Sequence, residues 1–282
     1  MNARTADTAA GLARARELLG SHTACVLTGA GISTESGIPD YRGPERAGRP
    51  ATPMTFREFT STGEARRRYW ARSAIGWPWM EAKRPNTGHH VVASLERAGI
   101  CAGLITQNVD GLHLEAGSRT VVELHGALRN VVCLECSRTE SRSSLQERIL
   151  VQNPGWMRNV GEVAPDGDVN LADETTRSFR VPACLHCGGA VKPDVVFFGE
   201  SVPAARVEDA FGLLGRAQML LVLGSSLTVY SGYRFVVAAA QQQKPIVIIN
   251  DGPTRADARA TLKVEARLGA ALESLAASLD LF

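Results

Sequence analysis

Short apolar segments that end in polar residues recur along the chain, and they constrain its fold more than any other feature. Unbroken apolar runs this short are typical of strands that are buried on both faces of a sheet. Helical patterns with one apolar face separate the runs, which favours parallel strands joined by crossover helices. The sequence therefore predicts an α/β fold, a parallel sheet with helices on both faces. The predicted strands cover residues 24–27, 103–106, 121–124, 195–198, 219–223 and 246–249.

The helical segments are bounded by capping and breaking residues. The predicted helices comprise one that ends at Gly20, one that begins at Asn86 or Thr87 and ends at Gly99, one that begins at Pro203, and one that carries Leu268, Leu272, Leu275 and Leu279.

Polar residues follow the predicted strands. Five of the strands end in glycine, serine, asparagine, aspartate, glutamine or histidine. In open parallel sheets, ligands bind beyond the carboxyl ends of the strands. We therefore expect these polar groups to converge at one edge of the sheet and to form a binding or catalytic site there.

The first predicted strand runs into a glycine-rich turn, Gly29-Ala30-Gly31. Glycines let a ligand approach the bare backbone, and the amides at the start of a following helix favour an anion such as a phosphate. The full dinucleotide-binding pattern wants a third glycine where Thr34 stands. From the turn alone, nucleotide binding and an ordinary strand-to-helix turn both remain open.

Four of the six cysteines form two Cys-x-x-Cys pairs, Cys133 with Cys136 and Cys184 with Cys187. The other two stand alone in apolar surroundings, where a cysteine usually acts as a small hydrophobe. In a chain without a secretory signal, the two pairs favour a four-thiolate zinc site over disulfides. Four thiolates leave no coordination position for water, so the predicted metal is structural and not catalytic.

Charge and hydropathy argue against several classes of protein. The 31 Lys and Arg against 29 Asp and Glu leave no strong field for nucleic acid or a membrane surface. No apolar run approaches the roughly 20 residues that span a bilayer. The amino-terminal segment lacks the apolar core and cleavage site of a signal peptide. We therefore expect a cytoplasmic protein, with the mitochondrial matrix as the alternative for a eukaryotic chain, that contacts neither nucleic acid nor membrane. The oligomeric state stays open, with a monomer among the options.

An ordered set of motifs carries a family resemblance: GAGIS, GIPDYR, TQNVDGLH, LHG, the two cysteine pairs, KPDVVFFGE, GSSL and IIN. In this order they resemble the sirtuin family of NAD-dependent protein-lysine deacylases. The segments RYWARSAIGWP, VQNPGW, APDGDV and VYSGYRF further resemble the class II branch, which includes the mitochondrial lipoamidase and ADP-ribosyltransferase type. Tyr41 departs from the family, in which most members have phenylalanine, and its hydroxyl needs a polar partner.

The resemblance implies one catalytic domain over residues 1–282. Its parts are a Rossmann-type NAD-binding lobe over residues 10–44, 86–130 and 190–275, a helical insertion over 45–85 and a zinc-binding module over 131–189. The insertion and the zinc module form a smaller lobe, and the cleft beside it takes the acylated lysine of a protein substrate. NAD is the co-substrate. The acyl group passes from lysine to ADP-ribose, and nicotinamide and O-acyl-ADP-ribose are released.

The resemblance also assigns residues. His125 matches the catalytic base, and an imidazole with a reference pKa near 6.5 can act as a base at cellular pH. Asn108 is assigned to catalysis beside it. Amide and carboxylate groups suit sugar hydroxyls and a carboxamide, although the same residue types also form turns. The predicted NAD contacts are Gly29, Ala30, Gly31, Glu35, Asp40, Tyr41, Arg42, Gln107, Asn108, Val109, Asp110, Gly224, Ser225, Ser226, Asn250, Asp251, Gly252 and Leu268. The predicted substrate contacts are Val195, Val196, Phe197, Phe198, Gly199, Tyr69 and Arg72.

The acyl group is the least determined feature. Tyr69 and Arg72 are three residues apart, which places them on one face of a helix. A similar Tyr and Arg pair binds the acyl carboxylate in desuccinylating class II members, and a planar guanidinium suits a carboxylate. The alternative is that Arg72 belongs to the same solvated basic face as residues 66–68.

Two other functions remain open at this point. Within the same chemistry, the chain could transfer ADP-ribose to a protein acceptor. As a protein without catalytic activity, it could act as an NAD-sensing, zinc-containing binding module. The near-neutral charge balance weighs against a nucleic-acid-binding version of that module.

Overall fold

The computed structural model describes residues 3–41, 53–157, 167–169, 171 and 173–281, and its largest element is a parallel sheet. The strands are β1 (Ala24–Thr28), β2 (Cys101–Thr106), β3 (Val121–Glu123), β4 (Gly126–Cys133), β5 (Thr139–Ser141), β6 (Val191–Val195), β7 (Met219–Leu223), β8 (Ile246–Asn250) and β9 (Leu262–Glu265). Six of them form one sheet in the order β3-β2-β1-β7-β8-β9, and every pair in it is parallel. This confirms the predicted α/β fold.

Helices lie on both faces of this sheet, and further helices lie in the rest of the described chain. They are α1 (Ala3–Ser21), α2 (Phe56–Ser61), α3 (Gly63–Glu81), α4 (Thr87–Arg97), α5 (Leu112–Glu115), α6 (Arg142–Gln152), α7 (Asp173–Thr176), α8 (Ala204–Arg216), α9 (Tyr230–Gln241) and α10 (Leu268–Ser278). Asn86 caps α4 as predicted: its side-chain oxygen accepts from the backbone N–H groups of Gly88 and His89, and its own backbone N–H donates to Nδ1 of the His89 ring.

The apolar runs are continuous because successive residues of each central strand enter different cores. In β1, Ala24 and Val26 join the core formed with α1, α4 and α10, whereas Cys25 and Leu27 join the core formed with α8 and α9. All five residues of β1, β7 and β8 are buried. Period-two alternation of side chains between two apolar faces thus explains why these strands have no polar face.

A second sheet of three antiparallel strands, β5-β4-β6, lies next to the helical insertion. Apolar residues of this sheet pack against α3 and α6 and form a separate core. Trp70 lies in this core and donates its indole N–H to the Val191 carbonyl at 3.1 Å. This sheet begins at Gly126 and ends at Val195, so it extends beyond residues 131–189 on both sides.

Two local predictions are wrong. The strand expected at 195–198 is instead β6, which ends at Val195 and contains Pro193. Among the strands of residues 3–41, 53–157 and 173–281, β6 pairs with β4 alone, so it is an edge strand, where a residue without an amide hydrogen is tolerated. The glycine turn after β1 leads into two 3-10 turns, Ala30–Ile32 and Thr34–Ser36, and not into an α-helix. No helix in the described ranges is long and apolar enough to cross a bilayer.

Candidate active site

A cavity of about 970 Å³ opens at the carboxyl ends of β1, β2, β7 and β8. The sheet therefore brings the predicted polar residues together as expected from parallel strands. The predicted site residues that line it are Gly29, Ala30, Gly31, Asp40, Tyr41, Tyr69, Gln107, Asn108, Val109, Asp110, His125, Val195, Val196, Phe197, Phe198, Gly199, Gly224, Ser225, Ser226, Asn250, Asp251 and Gly252.

Four predicted site residues do not appear in that lining. Glu35 accepts the backbone N–H of Gly269 at 2.9 Å and thereby caps the start of α10. Leu268 is 7% exposed and packs in the core. Arg72 donates to the Leu171 carbonyl at 3.0 Å. Arg42 lies outside the described residues.

The glycine turns after β1 and β7 touch through their backbones. Gly31 donates its amide hydrogen to the Gly224 carbonyl at 2.9 Å, and a Cβ on Gly31 would lie 2.8 Å from the same oxygen. A Cβ on Gly29 would lie 2.7 Å from the Ser225 Cβ. Only glycine fits at these two positions, and the absence of side chains leaves bare backbone at the cavity wall. Such a wall suits a nucleotide that approaches the backbone closely.

A polar network fixes the segment after β2. Asn108 Nδ2 donates to Ser33 Oγ at 3.0 Å, and Ser33 Oγ donates to Asp110 Oδ2 at 2.7 Å. The other Asp110 oxygen accepts the Leu112 amide at 3.0 Å, while burial raises the pKa of Asp110. These residues therefore form a turn, which was one of the two interpretations, and Asn108 lines the cavity as well. Ser33, which is buried, was not predicted as part of this network, although it lies within GAGIS.

His125 is held at both ring nitrogens. Nδ1 lies 2.9 Å from the Gln107 carbonyl oxygen, which can only accept, so Nδ1 carries the proton. Nε2 is then the acceptor of the neutral ring, and Ser231 Oγ lies 2.8 Å from it. Burial lowers the pKa of His125, with further lowering by Arg234 and Arg206 and an opposing effect of the Gln107 carbonyl. The ring is therefore neutral at neutral pH and presents a basic Nε2.

Ser231 and Arg234 are site residues that were not predicted. Both line the cavity, and both lie on α9, which was not predicted as a helix. A Cβ on Gly232 would lie 2.4 Å from Gln107 Oε1, so the first turn of α9 approaches the end of β2 closely. The segment VYSGYRF was noted only as part of a resemblance, and nothing in its residue types indicated contact with His125.

Aromatic rings surround the predicted acyl-binding residue Tyr69. Its ring lies 5.3 Å from the Phe59 ring and 5.4 Å from the Phe197 ring, both edge-on, and it is 5% exposed. Tyr41 lies opposite another ring of this region, 6.2 Å from Phe198. This part of the cavity wall is therefore mainly apolar.

The four paired cysteines form a candidate metal centre. Their sulfur atoms all lie within 4.8 Å of one another, with 3.5 Å between Cys133 and Cys187 and 3.8 Å between Cys136 and Cys184. Sulfur atoms around a tetrahedral zinc at about 2.3 Å are about 3.8 Å apart. Backbone N–H groups of Cys187 and His186 lower the pKa of Cys184 to about 7. The donor set thus fits a structural zinc ion, which the four thiolates would enclose.

Comparison with known proteins decides the family. The family model described as "Sir2 family" matches residues 29–231. The chain is 54% identical over 256 residues to "NAD-dependent protein deacetylase 1" of Streptomyces coelicolor, covering 91% of this chain and 86% of that one. The chain belongs to the Sir2 family. This Sir2 chain is also 49% identical over 248 residues to the human "NAD-dependent protein lipoamidase sirtuin-4, mitochondrial", covering 86% and 79% of the two chains.

Solved structures agree with that membership. A structure described as "Sir2-p53 peptide-NAD+" superposes with a TM-score of 0.76 at 32% identity, covering 95% of this Sir2 chain and 98% of that one. Another, "Sir2 bound to acetylated peptide", has a TM-score of 0.75 at 30% identity and covers 96% and 99%.

Proposed function

We propose that the chain is an NAD-dependent protein-lysine deacylase. With the consumption of one water molecule, it transfers the acyl group of a lysine side chain to ADP-ribose and releases nicotinamide, O-acyl-ADP-ribose and free lysine. The observation that carries the proposal is His125, a neutral imidazole in the wall of the cavity whose Nε2 carries no proton and accepts a hydrogen bond from Ser231. Relatives described as NAD-dependent deacetylases and a lipoamidase support the same class of reaction.

NAD as co-substrate supplies the ribose that accepts the acyl group and the nicotinamide that leaves. The glycine turns at Gly29–Gly31 and Gly224 and the polar groups of Asn108 and Asn250 would hold it. His125 Nε2 takes the proton of a ribose hydroxyl. Ser231 can serve both charge states of the ring, because its hydroxyl donates to neutral Nε2 and accepts from protonated Nε2.

The zinc ion has no part in the chemistry, because four thiolates complete its coordination. Cys133, Cys136, Cys184 and Cys187 would hold it. Its role is to connect the loop after β4 to the segment before β6, and hence to stabilise the second sheet.

For the acyl group, the geometry supports an uncharged chain over an acidic one. Tyr69 lines the cavity among aromatic rings, whereas Arg72 does not line it and bonds to the Leu171 carbonyl. Turnover of acetyl-, lipoyl-, succinyl- and glutaryl-lysine peptides by the wild type and Arg72→Gln tests this. A succinyl or glutaryl preference that Arg72→Gln abolishes would restore the acidic-acyl hypothesis.

The function is tested by incubating the protein with NAD and acyl-lysine peptides and following products by mass spectrometry. We expect nicotinamide and O-acyl-ADP-ribose from the wild type. His125→Ala should lose turnover while it keeps its fold and much of its NAD affinity, and near-wild-type turnover would refute the assignment. Labelled NAD separates the alternative, since ADP-ribosyl transfer leaves label on protein.

A further inference from the structure

Three arginines and two tyrosines form a patch beside the cavity, which we call the arginine rim: Arg234, Arg255, Arg259, Tyr230 and Tyr233. The guanidinium carbons of Arg234 and Arg255 lie 5.6 and 5.9 Å from the centre of the Tyr230 ring. Arg255 also lies 4.3 Å from the Tyr233 ring, and Arg259 Nε donates to the Tyr233 hydroxyl at 3.0 Å. Two of the cations are thus held against aromatic rings, and the third is held by a tyrosine hydroxyl.

The rim adjoins His125. Tyr230 and Arg234 line the same cavity, and Ser231, the hydrogen-bond partner of His125, lies between them in the sequence. Arg255 Nη1 donates to the Thr228 carbonyl at 3.2 Å, which fixes this side chain to the loop before α9. The rim therefore lies at the edge of the cavity that contains His125, within reach of a substrate segment that brings its lysine there.

The rim cations have no carboxylate partner among the described residues. None of the three forms an ion pair there, and Arg234 Nε is buried without a hydrogen-bond partner. The acidic residues next to the rim are engaged elsewhere: Asp257 pairs with Lys263 at 3.0 Å, and Asp251 lies 3.9 Å from Arg267. Tyr230 is 57% exposed, so the patch is open to solvent. The rim thus groups three cations without ion-pair partners in the described residues of a chain whose net charge is only +2.

We propose that the arginine rim binds acidic side chains that flank the acylated lysine in the protein substrate, an inference that rests on the deacylase function. A guanidinium binds a carboxylate through two parallel hydrogen bonds, and arginines already ordered on rings lose less entropy on binding. An extended peptide advances about 3.3 Å per residue, so the rim meets residues within a few positions of the lysine. Asp or Glu at those positions pairs with Arg234, Arg255 or Arg259.

A second anion could use the same cations. The Arg255 amide donates to the Ser226 carbonyl at 2.9 Å, which places the rim near the predicted NAD contacts. If the rim binds the diphosphate of NAD, its removal raises the KM for NAD and affects all peptides equally. If it binds substrate carboxylates, the effect depends on peptide charge.

The test uses acetyl-lysine peptides that differ only by Asp or Asn at each of the four positions on either side of the lysine. Their binding is measured by fluorescence anisotropy and their turnover with NAD by mass spectrometry, at low and high salt. The proteins are the wild type, Arg255→Gln and the double variant Arg255→Gln/Arg259→Gln. Arg16→Gln is the control, because Arg16 is an exposed residue on α1. This helix ends next to the first residue of β1, whereas the cavity lies at the other end of that strand.

We expect the wild type to prefer Asp over Asn by about fivefold at the favoured position, with the preference shrinking at high salt. The Arg255 variant should reduce that ratio and the double variant bring it close to one, while Arg16→Gln keeps it. Turnover without any charge preference, or a loss confined to the KM for NAD, overturns the inference. A binding preference that the double variant removes upholds the rim, and if lipoyl-, succinyl- and glutaryl-lysine peptides also give no turnover, the deacylase proposal is refuted instead.

Discussion

Replacing Gly232 with alanine should loosen the active site, because this glycine lets the first turn of α9 lie against Gln107. The added Cβ would lie 2.4 Å from Gln107 Oε1 and 2.6 Å from its Cδ. Ordinary contacts begin near 3.5 Å, so the amide group must withdraw by about 1 Å. It would then lose its bonds from Nε2 to the Thr28 carbonyl at 3.1 Å and to Ser225 Oγ at 2.9 Å.

The magnitude follows from those two bonds. Each contributes about 0.5–1.5 kcal/mol net, and the higher helix propensity of alanine returns up to about 1 kcal/mol. We expect Gly232→Ala to lower the free energy of unfolding by about 1–2 kcal/mol. Turnover should fall as well if the shift extends to the main chain of Gln107, because its backbone carbonyl orients His125 through Nδ1.

The assay is urea unfolding beside steady-state turnover of an acetyl-lysine peptide, with Gly215→Ala as the matched control. Gly215 also lies in a helix, α8, but a Cβ there would have no atom within 4 Å. The control should gain about 0.5–1 kcal/mol and keep its activity. The reasoning fails if Gly232→Ala matches the control in both stability and turnover.

Three further predictions concern the proton acceptor, the metal and pH. Ser231→Ala should lower kcat by about tenfold, since a lost bond of about 1.4 kcal/mol corresponds to that factor, and Ser231→Thr should restore most of it in the same peptide assay. Chelation of zinc should expose the four cysteines of the metal site and so add four thiols to those that react with an alkylating agent. Cys25 and Cys101 should stay unreactive, because burial raises their pKa to about 12 and about 11. Burial and the neighbouring His90 lower the pKa of His89 to about 4, so below pH about 6.5 the unfolded chain binds a proton that the folded chain does not bind. The free energy of unfolding should therefore fall by up to about 3 kcal/mol as the pH is lowered to about 4. Urea unfolding should show a smaller fall in His89→Gln.

The central strands could be predicted because residues such as Val26 and Leu27 face two different apolar cores, which leaves an unbroken apolar run. The edge strands could not. Pro193 looked like a boundary, yet it lies within β6, where its missing amide hydrogen is tolerated because no strand of the described residues pairs with the outer side of β6. The four-residue β9, Leu262–Glu265, carries no such continuous run.

Some residues of the candidate site could be predicted from the sequence, and others could not. His125 and Asn108 directly follow predicted strands, so the topology alone carries them to the cavity. Ser231 reaches His125 across 106 residues of sequence, and only the packing of α9 against Gln107 brings the two together. Conversely, the three-residue spacing of Tyr69 and Arg72 placed both on α3 but could not reveal that Arg72 bonds to the Leu171 carbonyl.

Glu35 connects the two ends of the fold. Its carboxylate accepts the backbone N–H of Gly269, the second residue of α10, although the two residues are 234 positions apart. This bond joins the loop that follows the glycine turn to α10, and we expect the two segments to lose their protection from hydrogen exchange together. We expect a ligand that orders this loop to slow the exchange of amides in α10 by mass action. The carboxyl-terminal helix would then report the occupancy of a cavity that it does not line.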